Sequence, residues 1–336
     1  MLSKNIIYIG DSMSVVEIFF SPSATTKTVV DKIASNFTQE KENCNFYIID
    51  NLYTGKLKNI QDYLDKPNVK FIQADIREEK IIQILQEINA DYIYNFACPA
   101  SPVHYQATPI MTWETSILGV RNLLRAIVGT ETVLLHSSTS EVYGDCLVNP
   151  QVESYWGNVN PIGIRSCYDE GKRAAESLIY DYIRSYGVDV RVVRIFNTYG
   201  PNMSVEDGRI ISNFVVQALQ NKDITIYGTG KQTRSFCYVE DTLDGIVKLT
   251  ENKERIDMPV NVGNPNERSV LDVAEYVVKA IPTKSKIIFL EKVSDDPQQR
   301  RPDITRAKQV LGWEPKVTFE QGLDKTIEYF KKELNI

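Results

Sequence analysis

Ser138-Thr139-Ser140-Glu141-Val142-Tyr143-Gly144, followed by Tyr168-Asp169-Glu170-Gly171-Lys172, is the text that decides how this chain is read. A strand ending in hydroxyls and followed by Tyr-x-x-x-Lys can turn a tyrosine into a base. The spacing puts the lysine on the tyrosine's own helix face, where its charge favours phenolate. An unperturbed phenol has a pKa of about 10, so the ammonium and a hydroxyl hydrogen bond must both favour the anion if it is to accept protons near neutrality. Ser138 or Thr139 supplies that hydroxyl. Tyr168 and Lys172 alone would also suit a solvated helix face, and the surrounding text moves the reading towards chemistry.

Outward from this stretch, short apolar runs at 46–49, 69–72, 92–96, 133–136 and 190–195 alternate with segments such as 117–128 and 174–186, whose apolar residues fall at helical spacing. The alternation predicts an α/β fold, a doubly wound parallel sheet of Rossmann-like type, over residues 1–198. After Gly200-Pro201 the pattern loosens into a loop at 202–209, a helix at 211–219 and short strands at 224–227 and 235–238. A smaller C-terminal substrate lobe is therefore expected over 199–336, with the chain returning to the sheet within 236–265, near 260–262.

The 336 residues, 43% of them hydrophobic, are enough for a full core. A net charge of −6 argues against a nucleic-acid partner, which normally meets a basic face. Cys44, Cys98, Cys146, Cys167 and Cys237 form no CxxC pair, and His104 and His136 are the only imidazoles. Buried reduced thiols are expected rather than a metal site or a disulfide framework. No apolar run approaches the roughly 18 residues of a membrane span, and the start lacks a basic region followed by a small-residue cleavage site. A cytoplasmic protein with no membrane partner is expected.

Asn158-Val159-Asn160-Pro161-Ile162-Gly163 runs into Arg165-Ser166-Cys167-Tyr168, and Arg194-Ile195-Phe196-Asn197-Thr198-Tyr199-Gly200-Pro201 follows. In these strings the chain resembles the extended short-chain dehydrogenase/reductase family, and within it the UDP-glucuronate decarboxylases, or UDP-xylose synthases. The resemblance covers roughly 46–334 and is tightest over 97–238.

The resemblance implies NAD as cofactor. Asp50 stands where the family's acidic residue accepts both adenosine ribose hydroxyls, which disfavours the 2′-phosphorylated cofactor by charge. Asn51, Thr54 and Gly55 resemble the loop after it, Asp75 and Ile76 the pair flanking adenine, and Ala97 and Pro99 the opening towards nicotinamide. Ser138, Tyr168 and Lys172 complete the implied cofactor set. The family's glycine-rich first turn, which lets backbone approach a pyrophosphate, is absent. One register puts the first strand at 5–9, with Gly10 followed by Met13 and Val16 where glycines belong. The other puts it at 15–20, with Ser21-Pro22-Ser23-Ala24-Thr25-Thr26 as the turn and a helix at 28–37. The second is preferred, because Thr28-Val29-Val30-Asp31-Lys32-Ile33 fits the family's first helix better. Ser116 also departs from the family, which has asparagine there.

On the sugar side, Cys98-Pro99-Ala100-Ser101-Pro102-Val103-His104-Tyr105 resembles the decarboxylase loop that covers the sugar. Tyr105, Asn197, Arg209, Gln232, Arg234 and Arg300 match positions lining the UDP-sugar cleft, and Tyr227 is placed to stack on uracil. Guanidinium suits the task because its fork meets phosphate or carboxylate oxygens bidentately and stays charged when buried.

The implied chemistry has Tyr168 take the C4 hydroxyl proton of UDP-glucuronate while hydride passes to NAD, with Lys172 and Thr139 supporting the tyrosine. The 4-keto acid loses CO2, and re-reduction gives UDP-xylose. Related 4,6-dehydratases carry Asp-Glu after the threonine, whereas here Ser140-Glu141 follows Thr139. The acid that would protonate a leaving hydroxyl is therefore missing, and Glu141 stays to position sugar or water. The alternative is a UDP-sugar-binding homologue with weakened or lost NAD binding and a non-catalytic role; an epimerase or reductase fits these strings less well. The resemblance also implies a homodimer through paired helices at 112–128 and 168–186.

Overall fold

A computed structural model describes residues 13–19, 32–33, 44–292 and 297–336. Seven strands form its main sheet: β1 (Met13–Phe19), β2 (Cys44–Asp50), β3 (Val69–Gln73), β4 (Tyr92–Phe96), β5 (Val133–Thr139), β6 (Asp189–Ile195) and β7 (Val260–Val262). Their order is β7-β6-β5-β4-β1-β2-β3, with every neighbouring pair parallel. The chain order reverses between β1 and β4, and ligands of open α/β sheets bind in the crevice outside the strand C-termini at such a point. Phe19 pairs with both Asp50 and Phe96, so β1, β2 and β4 end level there.

The strand at 13–19 answers the choice of register. The preferred one holds, beginning two residues earlier than 15–20. Residues 5–9 and the turn 21–26 lie outside the described residues, and of the helix expected at 28–37 only 32–33 are described, as helix.

Adjacent residues of one strand feed opposite cores. Ile49, Ile93, Leu134 and Val192 pack on one face of the sheet, and Ile48, Tyr94, Leu135 and Val193 on the other. A strand buried on both faces reads as a continuous apolar run, which is why these strands showed no alternation. The second face is covered by residues beyond 199. Phe214 and Val215 of the helix Ile210–Leu219 and Phe330 of the helix Phe319–Glu333 join the same cluster as Leu135 and Val193. Two strand pairs, 224–227 with 287–290 and 233–235 with 267–269, also belong to the residues beyond 199.

Four helices frame the site. Two of them, α1 (Pro102–Ala107) and α2 (Pro109–Glu114), start on prolines, whose missing N–H costs nothing at a helix's first position. A π-helical turn at Thr115–Gly119 leads into α3 (Val120–Ile127). The long α4 (Ser166–Tyr186) ends at Gly187 and lays Ala175 and Ile179 against the sheet. Tyr168, Lys172 and Glu176, four apart, are all buried along its inner stripe. Among the described residues no helix is long and apolar enough to cross a membrane, and no group of three or more acidic, histidine or cysteine side chains could hold a metal ion.

Candidate active site

β5 delivers the first group. Its last residue, Thr139, caps a short 3-10 turn at Ser140–Tyr143 and accepts a hydrogen bond from Glu141 N at 3.3 Å. The turn reverses through Gly144 at φ +62, where a Cβ would sit 2.0 Å from the carbonyl oxygen of Asn158, so only glycine fits. The tight reversal points Glu141 back across the strand ends. Arg300 grips both oxygens of Glu141, Nη1 to Oε1 at 2.7 Å and Nη2 to Oε2 at 2.8 Å, and Arg165 Nη2 adds a contact at 2.7 Å. Burial opposes the charge on Glu141, but Arg300, Arg165 and Arg234 outweigh it and hold the carboxyl below the usual carboxylate range. Ser140, beside it, is buried.

The tyrosine and lysine meet this turn from α4. The Thr139 hydroxyl hydrogen-bonds Tyr168 and favours its anion, while burial, with Cys98 next, pushes the phenol well above its ordinary value. Lys172, 2% exposed, donates Nζ to Ser137 O at 2.7 Å, and burial pulls its pKa down. The sequence left Ser138 and Thr139 as alternatives for the hydroxyl on Tyr168. The structure separates them, since Ser138 donates to Glu176, which Arg194 also binds at 3.0 and 2.7 Å. Tyr105 stacks on Tyr168 with ring centroids 5.1 Å apart, and its own hydroxyl is buried without a partner among the described residues. Ser116 lies in the π-helical turn, 3.5 Å from Cys98 Sγ, and Gly171 packs directly on it.

On the dinucleotide side, Asp50 ends β2 in the crevice and accepts from Leu52 N at 2.7 Å. Burial pushes its carboxyl up to about 7, against the pull of that hydrogen bond. Gly55 crosses so closely that a Cβ would lie 2.2 Å from Asp50 Oδ2. Thr54 has its hydroxyl buried without a partner among the described residues. A buried carboxylate with a single donor among the described residues, beside a hydroxyl with none among them, suits a ligand rich in hydroxyls, such as a ribose. Asn51 Nδ2 donates to Asp75 at 3.0 Å, and Asp75 is gripped by Arg77 at 2.8–3.2 Å, so these two brace the loop. Ile76 is buried against Gly119, and Ala97 and Pro99 are buried where β4 ends.

On the sugar side, Arg300 also reaches Asn197 Oδ1 at 3.2 Å. Arg234, 3% exposed, belongs to the charge cluster around Glu141. Arg209 is held by Asp207 at 2.5 and 2.8 Å and lies close enough for Tyr168 to affect its charge. Gln232 donates to Tyr227 O at 2.8 Å, and Tyr227 is 46% exposed at the rim. Cys98, Tyr105, Cys167 and Tyr168 form one buried cluster.

Sequence reading gave no role to Arg165, Asp169, Glu176 or Arg194. The signal was present for three of them: Arg165 and Asp169 are four apart at the start of α4, and Glu176 is four beyond Lys172 on the same face. Arg194 looked like a strand residue and needed the fold to bring it to Glu176.

A family model described as GDP-mannose 4,6 dehydratase matches residues 21–326. The chain is 46% identical to UDP-glucuronic acid decarboxylase 3 of Arabidopsis thaliana over 308 residues, covering 92% of this chain and 86% of that protein. It is 48% identical to UDP-glucuronic acid decarboxylase 1 of Danio rerio over 287 residues, covering 85% of this chain and 67% of that one. Among solved structures it resembles UDP-glucuronic acid 4-epimerase from Bacillus cereus in complex with UDP-glucuronic acid and NAD. The TM-score is 0.83 at 25% identity, over 96% of this chain and all of that one.

Proposed function

The chain belongs to the GDP-mannose 4,6-dehydratase family of extended short-chain dehydrogenase/reductases, and from that premise we propose that it is an NAD-dependent UDP-glucuronate decarboxylase forming UDP-xylose. The observation that carries this reading is Glu141 beneath three guanidiniums, with a buried serine beside it. Arg165, Arg234 and Arg300 bring more positive charge than Glu141 removes, which suits an anionic sugar carboxylate or diphosphate. Ser140 cannot protonate a leaving hydroxyl as a carboxylic acid would, so elimination of water lacks its acid.

Asp50 and Thr54 fit the adenosine ribose, and the charge of Asp50 opposes a 2′-phosphate, so NAD is the cofactor these residues would hold. With NAD bound, Lys172 and Tyr168 would serve its nicotinamide end, and Ala97 and Pro99 would line that approach. When bound, NAD supplies the hydride acceptor for C4 and returns the hydride at the end. Tyr168, hydrogen-bonded to Thr139, accepts the C4 hydroxyl proton, and the cation of Lys172 favours the phenolate. The C6 carboxylate is then beta to a ketone, and its departing electrons delocalise into the carbonyl as CO2 leaves. C5 gains a proton, and Tyr168 returns its own proton to the C4 oxygen. Asn197, Arg209, Gln232 and Tyr227 line the UDP end.

The test is incubation with UDP-glucuronate, with and without added NAD, alongside release of bound NAD from denatured protein. UDP-xylose that disappears in Tyr168→Phe is expected. UDP-glucuronate binding with neither NAD nor product would favour the non-catalytic homologue. A homodimer and a cytoplasmic location belong to the same reading. Ile110 and Trp113 of α2 are exposed, 71% and 42%, which supports an apolar contact there, and all five cysteines are free thiols. A monomeric mass by sedimentation would remove the dimer.

A further inference from the structure

Decarboxylation consumes a proton that Tyr168 cannot supply. The carboxylate leaves as CO2, its bonding pair stays on C5 as an enolate, and a new C5–H bond must form. The proton Tyr168 takes from the C4 hydroxyl returns to the C4 oxygen, so the C5 proton comes from solvent by another route. This requirement rests on the decarboxylase reading above.

Asp169 is built for that entry. It follows Tyr168 on α4 and is 7% exposed. Its Oδ1 is buried with no hydrogen-bond partner among the described residues, while Oδ2 lies 3.6 Å from Arg165 Nε. Arg165 also holds Glu141, at 2.7 Å, so one guanidinium joins Asp169 to the carboxylate at the reaction centre. Asp169 lines a cavity of about 200 Å³ with Gly144, Asn158, Asn160, Arg165 and Ser166, polar enough and large enough for several waters. We propose that Asp169 is the relay group that takes a proton from solvent through this cavity and passes it, by water, to the Glu141 side of the site for transfer to C5.

The charged and titratable groups around Asp169 suit a proton carrier. They are Glu141 from the turn after β5, Asp145 from the segment beyond that turn across the shared cavity, Arg300 from the segment before 304, Tyr105 from α1, Arg165 at the N-cap of its own helix, and Cys167 and Tyr168 within that helix. Burial, then the negative charge of Glu141, push its carboxyl up to about 7 against Arg165 and Arg300. Asp169 can therefore carry a proton at neutral pH while Glu141 stays ionised, and a group titrating near the working pH transfers protons best.

Asp169→Asn separates the two halves of the reaction. Expected is a first-turnover CO2 release that persists, KM for UDP-glucuronate unchanged, UDP-xylose formation slowed on the order of 10²-fold, and the unprotonated C4–C5 enolate accumulating with the cofactor held reduced, seen as a lasting NADH absorbance. The wild-type fall in kcat as pH rises through about 7 should be absent in this variant. Asp169→Glu should restore turnover, and a melting curve identifies a variant that fails to fold. D169N with wild-type turnover and pH profile overturns the inference. So does a parallel loss of CO2 release and UDP-xylose with raised KM, which would make Asp169 a support for Arg165 alone. A wild type giving neither product overturns the decarboxylase reading itself.

Discussion

At the residue scale, neighbouring hydroxyls of the same strand end take different work. Thr139 hydrogen-bonds Tyr168, and Ser138 bonds Glu176. The sequence placed both within reach and could not choose, because the choice depends on how far along β5 the start of α4 falls. Removing a donor to a reacting oxygen typically costs 10²–10³-fold, so Thr139→Val should lower kcat by about 10²-fold at unchanged KM. Ser138→Ala should leave kcat within a few-fold and cost roughly 1–2 kcal/mol of stability, read by denaturant titration. Equal kinetic losses would mean that both hydroxyls serve Tyr168. Glu141 was legible from its place after Thr139-Ser140, but its grip by Arg165 and Arg300 was not. Those arginines are separated along the chain by most of the second half, and only the fold brings them to one carboxylate.

At the element scale, α4 shows what periodicity can and cannot find. Helical spacing indicated 174–186, whereas the helix runs Ser166–Tyr186. Its first two turns bury Ser166, Tyr168, Asp169 and Lys172, so the inward face there is polar and the hydrophobic pattern begins only where catalysis stops. The same rule hid the π-helical turn Thr115–Gly119, a distortion of a kind often found at functional sites. Glu176, its side chain 9% exposed, holds the helix to the sheet through Ser138 on β5 and through Arg194 on β6, whose side chain is 11% exposed. Breaking a buried pair from one side strands a charge, so Arg194→Met should destabilise by about 3–5 kcal/mol in denaturant unfolding. Adding Glu176→Gln to Arg194→Met should recover much of that loss. If the double variant is no more stable than Arg194→Met, the pair is not the source of the cost.

At the scale of the whole molecule, the doubly wound parallel sheet was legible as an alternation of strands and helices, and its reversal between β1 and β4, which only the fold shows, locates the crevice that gathers Asp50, Ala97, Thr139 and Tyr168. The sharing of one core by the sheet and the residues beyond 199 was not legible, because contacts distant in sequence leave no local period. Nor could sequence show the electrostatic cost of so polar a crevice. Asp50 is 4% exposed, and burial pushes its carboxyl up to about 7. An unfolded chain releases this proton near about 3.9, so between that value and about 7 the native state binds more protons than the unfolded one, and stability falls as pH rises. Glu141 and Asp75, whose values are lowered, act with the opposite sign and only at more acid pH, below about 4.5. The ligand-free protein should therefore lose roughly 2–4 kcal/mol through Asp50 between pH 5 and pH 8, seen as a falling melting temperature. Asp169, also pushed up to about 7, adds a fall of the same sign, so Asp50→Asn should reduce the decline without abolishing it, and NAD, by donating ribose hydroxyls to the ionised carboxylate, should offset the Asp50 share in the wild type but not in the variant. A melting temperature that declines equally in Asp50→Asn would show that the buried charge lies elsewhere in the crevice, with Asp169 the next residue to replace.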